Sequence, residues 1–284
     1  MIFHRVSIVG LGLMGGSLGL ALRQRGLAAH VVGCGREVLQ KRAIEMGAID
    51  SGTTDAAEAA SDSDLIVLCT PVETSIRLMR EIAPRMKPGA LLTDVGSTKQ
   101  SFADAAREIF GDAAHATVLP GHPLAGRELS GLENAVADLY TNCVWTLTPL
   151  GQGEPASHQA LRAALEALGA RIVVTSPEEH DRTLAYTSHL PQMLSTALAL
   201  TLEEELGAGN PALEIHAGGL RTMLRLAMSD PVMWEQIAAS NAQNIAAALE
   251  RFEAELRKLR ESLGDPEFRK KFEAAREFAR ILRG

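Results

Sequence analysis

Hydrophobic positions along the chain follow two regimes, and the change falls near Thr175. In the first, short unbroken apolar runs alternate with segments in which apolar residues recur every three or four positions. The run over 5–9 is followed by an Ala/Leu-rich helical pattern that continues to about Arg25. A strand is expected over 30–33, a short helix over 39–46, and a further short strand opening at Ile49-Asp50. The alternation then becomes plainer: strand 64–69, helix 73–82, strand 90–94 and helix 100–109. An extended stretch over 117–120 follows, and strands over 144–148 and 171–175 flank a helix over 160–168. Buried runs without polar alternation, separated by helices, predict a parallel sheet covered on both faces, which the last two strands would finish.

In the second regime, Ser176-Pro177-Glu178-Glu179 reads as a helix start, with Ser as N-cap, Pro at the first position and acids in the first turn. From there to Gly284 nearly every segment is helical, with Asp230-Pro231 and Asp265-Pro266 as further starts. Two domains are therefore expected, an α/β domain over 1–175 and an all-α domain over 176–284.

The turn between the first strand and helix gives the α/β domain a chemistry. Gly10-Leu11-Gly12-Leu13-Met14-Gly15 follows a strand and opens a helix, the context in which Gly-x-Gly-x-x-Gly reads as a dinucleotide fingerprint rather than a ligand-free Gly-rich turn. Gly10 permits the tight turn, Gly12 leaves no Cβ between backbone and pyrophosphate, and Gly15 lets the helix pack closely on its strand. The helix N-terminus offers free N–H groups and a partial positive charge. The domain is thus expected to be Rossmann-type, with Leu13 and Met14 also at the cofactor and Thr70 and Pro71 contributing from the loop after strand 64–69. An NAD site places an acid about 20 residues past the glycines. Here Gly35-Arg36 occupies that place, and a small residue followed by a guanidinium suits the 2′-phosphate of NADP. The alternative keeps NAD, with Glu37 on the ribose and Arg36 merely solvated.

Composition narrows the partners. With 284 residues, 46% apolar and 22% charged, the chain can fill one large or two medium globular domains. A net charge of −7 excludes the basic surface of a nucleic-acid binder, so an anionic ligand must be met by local Arg or Lys. Cys34, Cys69 and Cys143 show no metal or disulfide spacing and fit a reducing compartment. The most apolar helical run, over 193–202, is too short to span a bilayer. With the first strand opening at Arg5 there is no room for a targeting peptide. A cytoplasmic protein with no metal, membrane or nucleic-acid partner is expected.

Lysine is confined to Lys41, Lys87, Lys99, Lys258, Lys270 and Lys271, so the helices where hydroxyacid dehydrogenases carry a catalytic Lys have none. Acid–base chemistry then falls to histidine. His122 lies in Gly121-His122-Pro123-Leu124-Ala125-Gly126, read as a loop of small residues at a strand end, where a base for hydroxyl deprotonation belongs. His189 sits in a polar cluster, Tyr186-Thr187-Ser188-His189, before Pro191, and is either functional or part of a capped helix kink. Arg221 and Arg225 share one face of an otherwise apolar helical stretch, so each must be paired or meet an anionic substrate. Trp234 and Asn241 read as structural or pocket-lining. His4, His30, His115, His158, His180 and His216 read as surface or core residues.

Several stretches together resemble the prephenate/arogenate (cyclohexadienyl) dehydrogenase family. They are Gly10–Leu20, Thr93-Asp94-Val95-Gly96-Ser97-Thr98-Lys99, Gly121-His122-Pro123-Leu124-Ala125-Gly126-Arg127-Glu128-Leu129-Ser130-Gly131, Ser188-His189-Leu190-Pro191, and the segment from Arg225 to Trp234. The resemblance implies oxidative decarboxylation of a cyclohexadienol, prephenate or arogenate, with NADP or NAD as hydride acceptor. It implies that His122 takes the hydroxyl proton, that Ser97 hydrogen-bonds His122 or that hydroxyl, and that Arg225 pairs with a substrate carboxylate. His189 and Glu128 would line the remaining pocket. It also implies a homodimer paired through the helical domain. As a departure from some relatives, no chorismate mutase domain is expected before the fold and no separate regulatory domain after Gly284. Gln192 stands where some relatives carry a second histidine. Two other readings compete: a different β-hydroxyacid or imine reductase on the same scaffold, and a non-catalytic nucleotide sensor. The missing lysines oppose the first, and His122, Ser97 and Arg225 together oppose the second.

Overall fold

The computed structural model describes residues 1–126 and 130–283. The chain opens with β1 (Phe3–Val9), α1 (Leu13–Gln24), β2 (Ala28–Cys34), α2 (Glu37–Glu45), β3 (Ser51–Thr53), α3 (Ala56–Ala60), β4 (Leu65–Leu68), α4 (Val72–Ile82), β5 (Leu91–Asp94) and α5 (Gln100–Phe110). These five strands make one parallel sheet in the order β3-β2-β1-β4-β5. Successive residues of each strand point to opposite faces, and both faces are buried. Ile8, Val31, Val67 and Leu91 pack into one core cluster with Leu18, Leu22 and Trp145. Val9, Val32, Leu68 and Leu92 pack into the other with Met79, Ile82 and Phe102. Neighbours β1 and β4 send their connections to opposite sides, so a crevice opens beyond their carboxyl ends.

The chain continues through α6 (Ala114–Thr117), β6 (Gly121–Leu124), β7 (Val144–Leu147), α7 (Ala156–Ala167) and β8 (Arg171–Val174). Here the structure departs from expectation. These strands do not finish the first sheet but form a second, three-stranded one, with β6 antiparallel and β8 parallel to the central β7. The stretch at 117–120 contributes only one bridge, Leu92 to Val118, to the first sheet. Pro120 follows it and, having no N–H, cannot extend that ladder. Gly121-His122-Pro123-Leu124, expected as a loop, is an edge strand, where Pro123 is tolerated because its missing N–H faces no partner.

The remaining elements are α8 (Pro177–Leu184), α9 (Leu190–Leu206), α10 (Gly218–Leu224), α11 (Pro231–Ser240), α12 (Ala242–Glu261) and α13 (Pro266–Arg283). The three expected helix starts hold. The Ser176 hydroxyl accepts from Glu179 N at 3.1 Å, Asp230 accepts from Val232 N at 2.9 Å, and Asp265 accepts from Glu267 N at 2.8 Å. The chain packs as two units: Met1–Thr183 with Ser229–Ser240, and Leu184–Met228 with Asn241–Gly284. Among the described residues no helix is long and apolar enough to cross a membrane.

Candidate active site

The crevice of the first sheet is shaped for a dinucleotide. Gly10 holds φ at +107°, and a Cβ there would come within 2.6 Å of the Cys69 carbonyl oxygen and 2.9 Å of the Thr70 methyl. The loops after β1 and β4 can touch only because the first is glycine. A Cβ on Gly12, by contrast, would meet nothing within 4 Å. The backbone faces open space where a pyrophosphate belongs, at the N-cap of α1, whose first turn carries no acid. Gly15 packs against the Gly10 carbonyl, and Leu13 and Met14 form the opening of the helix, anchored by the Tyr140 hydroxyl donating to the Met14 carbonyl at 2.7 Å. Thr70 is held by its hydroxyl against that of Ser75 at 2.8 Å, and Pro71 leads into α4. At the end of β2, Gly35 lies against Leu11 and its carbonyl accepts from the Gln40 amide at 2.6 Å. Arg36 follows with an exposed side chain, and among the described residues no carboxylate pairs with it. These residues fit a dinucleotide.

A buried polar network is built at the carboxyl end of β5. Asp94 accepts from Gly96 N at 2.9 Å and Gly121 N at 3.1 Å, and pairs with the Lys99 ammonium. Both side chains are sealed from solvent. Burial pushes the Asp94 carboxyl up and Lys99 down, and their contact pulls each back toward the charged form. The Gly121 bond sets β6 against β5, and a Cβ at Gly121 would lie 2.8 Å from the Trp145 indole nitrogen. That is why a glycine precedes His122.

His122, buried on β6, is joined through Nδ1 to Nε2 of His180 at 3.0 Å, with the two rings edge to face. His180 Nδ1 bonds Asp181 Oδ1 at 2.8 Å. Asp181 in turn accepts from the backbone amides of Lys99 at 2.7 Å and Gln100 at 2.9 Å, so it caps α5. Ser97 sits in the loop between β5 and α5 and has no hydrogen-bond partner among the described residues. The next residue, Thr98, donates to the Ser240 hydroxyl at 2.9 Å. Glu128 lies outside the described residues. Burial pushes the Cys34 thiol up to about 11 and moves Cys69 and Cys143 the same way, so none is a ready nucleophile.

In the second unit, residues Ala185–His189 form a π-helical segment ahead of α9. His189 is buried at its end, with Nδ1 3.2 Å from the Asn241 amide nitrogen. The kink thus lies in a widened turn, and Pro191 falls in the first turn of α9, where its missing N–H is harmless. Arg221 and Arg225 do not share an α-helical face. The short α10 ends at Leu224, and Arg225 opens a 3₁₀ turn, Arg225–Met228. Both arginines are exposed. Arg221 donates through Nε to His216 at 2.8 Å. The Arg225 turn is braced by α9: Gln192 donates to the Leu226 carbonyl at 2.7 Å, and Ser195 donates to the Met223 carbonyl at 2.7 Å while accepting from Ala227 N at 2.9 Å.

Residue type and spacing alone do not mark Asp94, Lys99, His180 and Asp181 as members of this buried network. The adjacent His180-Asp181 pair, just inside a helix start, was the available signal. A second was an acid and a lysine bracketing Gly96-Ser97.

Comparison with known proteins is consistent from end to end. The family model described as prephenate dehydrogenase, nucleotide-binding domain, matches residues 18–174, and its dimerization-domain counterpart matches residues 176–283. A prephenate dehydrogenase of Lactococcus lactis is 30% identical over 253 residues, 89% of this chain and 69% of that protein. A cyclohexadienyl dehydrogenase of Zymomonas mobilis is 30% identical over 264 residues, 92% of this chain and 89% of that protein. The crystal structure of prephenate dehydrogenase from A. aeolicus, in complex with hydroxyphenyl propionate and NAD⁺, superposes with a TM-score of 0.90 at 29% identity, covering 98% of each chain.

Proposed function

The chain belongs to the prephenate dehydrogenase family, and on that premise we propose that His122 is its catalytic base and Arg225 its substrate-carboxylate clamp. It is an NAD(P)-dependent prephenate/arogenate dehydrogenase of aromatic amino acid biosynthesis, an oxidoreductase built on a Rossmann-type domain and a helical one. Bound at the Gly10–Gly15 cradle, the oxidised nicotinamide supplies the hydride acceptor. The protein's own part is to remove the hydroxyl proton as the carbon–hydrogen bond breaks, and to hold the carboxylates. One observation carries the reading. Asp94 at the carboxyl end of β5 binds the amide of Gly121, which sets a buried imidazole at the edge where the dinucleotide loops converge.

Ser97, uncommitted in the loop after β5, is placed on the reacting hydroxyl or on His122. Arg225 pairs with a substrate carboxylate, and His189 and Glu128 complete the substrate contacts. The exposed Arg36, without a carboxylate partner among the described residues, supports NADP over NAD, with Gly10, Gly12, Leu13, Met14, Gly15, Gly35, Thr70 and Pro71 as the other cofactor contacts. A boundary at 175/176 between dinucleotide and helical domains is supported by the family matches over 18–174 and 176–283. A homodimer through the helical domain is supported by its bare apolar side chains, among them Ile215 and Met228, each nearly nine-tenths exposed. Three unbridged cysteines support a reducing, cytoplasmic setting.

The test is absorbance at 340 nm with prephenate and with arogenate, each in the presence of NAD and of NADP. Reduction is expected, faster with NADP; no reduction in any combination rejects the assignment. Arg36→Asp should shift the preference toward NAD by about tenfold or more, the worth of one charge-assisted bond (~1.5–3 kcal/mol). An unchanged preference removes Arg36 from the cofactor site.

A further inference from the structure

The base reading leaves open which nitrogen of His122 takes the proton, and why a second buried imidazole lies against it. We infer that His180, oriented by Asp181, is a positioning residue that fixes His122 as its Nδ1–H tautomer and so puts the accepting lone pair on Nε2. The inference rests on the reading of His122 as the base.

Asp181 anchors the chain of bonds that ends at His122. The partners of its carboxylate include His180 Nδ1 at 2.8 Å, Lys99 N at 2.7 Å and Gln100 N at 2.9 Å. The two backbone groups can only donate. A carboxylate has no proton to give, so His180 Nδ1 must donate as well. In the neutral imidazole that leaves a lone pair on His180 Nε2, 3.0 Å from His122 Nδ1. One of these two nitrogens must carry a hydrogen, and it is therefore His122 Nδ1. The lone pair of His122 then resides on Nε2. The opposite arrangement, a doubly protonated His180, would donate to His122 Nδ1 and leave the proton on Nε2, where no base could act.

The same chain serves the proton-transfer step. The substrate O–H bond breaks, its proton goes to His122 Nε2, and the bonding pair stays on the oxygen. His122 is then a cation whose Nδ1–H already points at a lone pair, with the Asp181 carboxylate one imidazole further on. No side chain has to turn. His180 and Asp181 are buried, exposing 2% and 1% of their surface, so this charge is stabilised in a medium where it counts for more than in water.

The experiment uses ¹⁵N-histidine-labelled enzyme together with two substitutions. In the wild type, His122 should show a protonated Nδ1 and an unprotonated Nε2 at a pH where it is neutral. His180→Leu, which removes the acceptor, should lose this signature and lower kcat on the order of 10²–10³-fold, with KM and dinucleotide affinity little changed. His180→Gln, whose amide oxygen can stand in for Nε2, should recover most of the kcat and the Nδ1–H signature. A wild-type His122 protonated on Nε2, or a His180→Leu enzyme with unaltered kcat, overturns the inference. If His180→Leu is unfolded by circular dichroism, the wild-type spectrum and His180→Gln still decide. Normal turnover in His122→Asn would instead overthrow the base reading. Loss of turnover there, with full activity in His180→Leu, would reject only the role of His180.

Discussion

The two arginine- and histidine-bearing regions of this molecule hold their reactive groups in opposite ways. In the first unit, His122 is buried and joined side chain to side chain, through His180 and Asp181 to the start of α5. In the second, Arg225 is exposed, and the backbone of its 3₁₀ turn is gripped by Gln192 and Ser195. The difference fits the roles proposed for the two groups. A base needs one nitrogen, one tautomer and a dry setting, which only buried hydrogen bonds to the ring itself can impose. A cation that binds a carboxylate needs its charge in reach and costs too much to bury alone. Bracing its backbone places it without paying that desolvation.

The contrast predicts unequal failures. The largest belongs to the buried side. His122→Asn should lose turnover on the order of 10²–10⁴-fold while dinucleotide binding, measured by fluorescence quenching or calorimetry, survives. Weakened cofactor binding with normal turnover would reassign the residue. Arg225→Ala should act mainly on KM, raising it about 10- to 100-fold for the loss of a charge-assisted bond of ~1.5–3 kcal/mol, with a smaller effect on kcat. An unchanged KM would mark Arg225 as structural and dissolve the comparison. The smallest effect should come from Ser195→Ala. It leaves the Ala227 N–H and the Met223 carbonyl without their partner, and should raise KM about threefold to tenfold for roughly 1 kcal/mol of lost order in the turn. A fall in kcat with KM intact would show that α9 acts on the chemistry and not on the clamp.

How much of this was legible in the sequence depended on whether the determinant is local. The Gly10–Gly15 turn, the strands of the first sheet and the capped helix starts were all readable, because periodicity, glycine and capping side chains act within a few residues. Strand β6 was not, since Pro123 within it and Pro120 just before it read as loop, and its partner β7 lies across a long connection. His180 was passed over for a related reason: it is 58 positions from His122, and no spacing rule joins a strand residue to a helix residue. The π segment ending in His189 and the 3₁₀ turn at Arg225 escaped because each breaks the helical period for only a few residues. The candidates His122, Arg225 and His189 could be named from their neighbours. The manner in which each is held could not.

Asp181 carries a consequence for mutational tolerance. Its two oxygens take the end of α5 and the His180 ring at once, so the position answers to a folding constraint and a chemical one together. Asparagine has a single acceptor oxygen and would turn an NH₂ toward at least one of the three donors. Glutamate would carry its oxygens a methylene too far from α8. In a library of variants this position should therefore admit fewer replacements than His180, whose acceptor an amide can imitate, and losses there should appear in abundance as well as in rate.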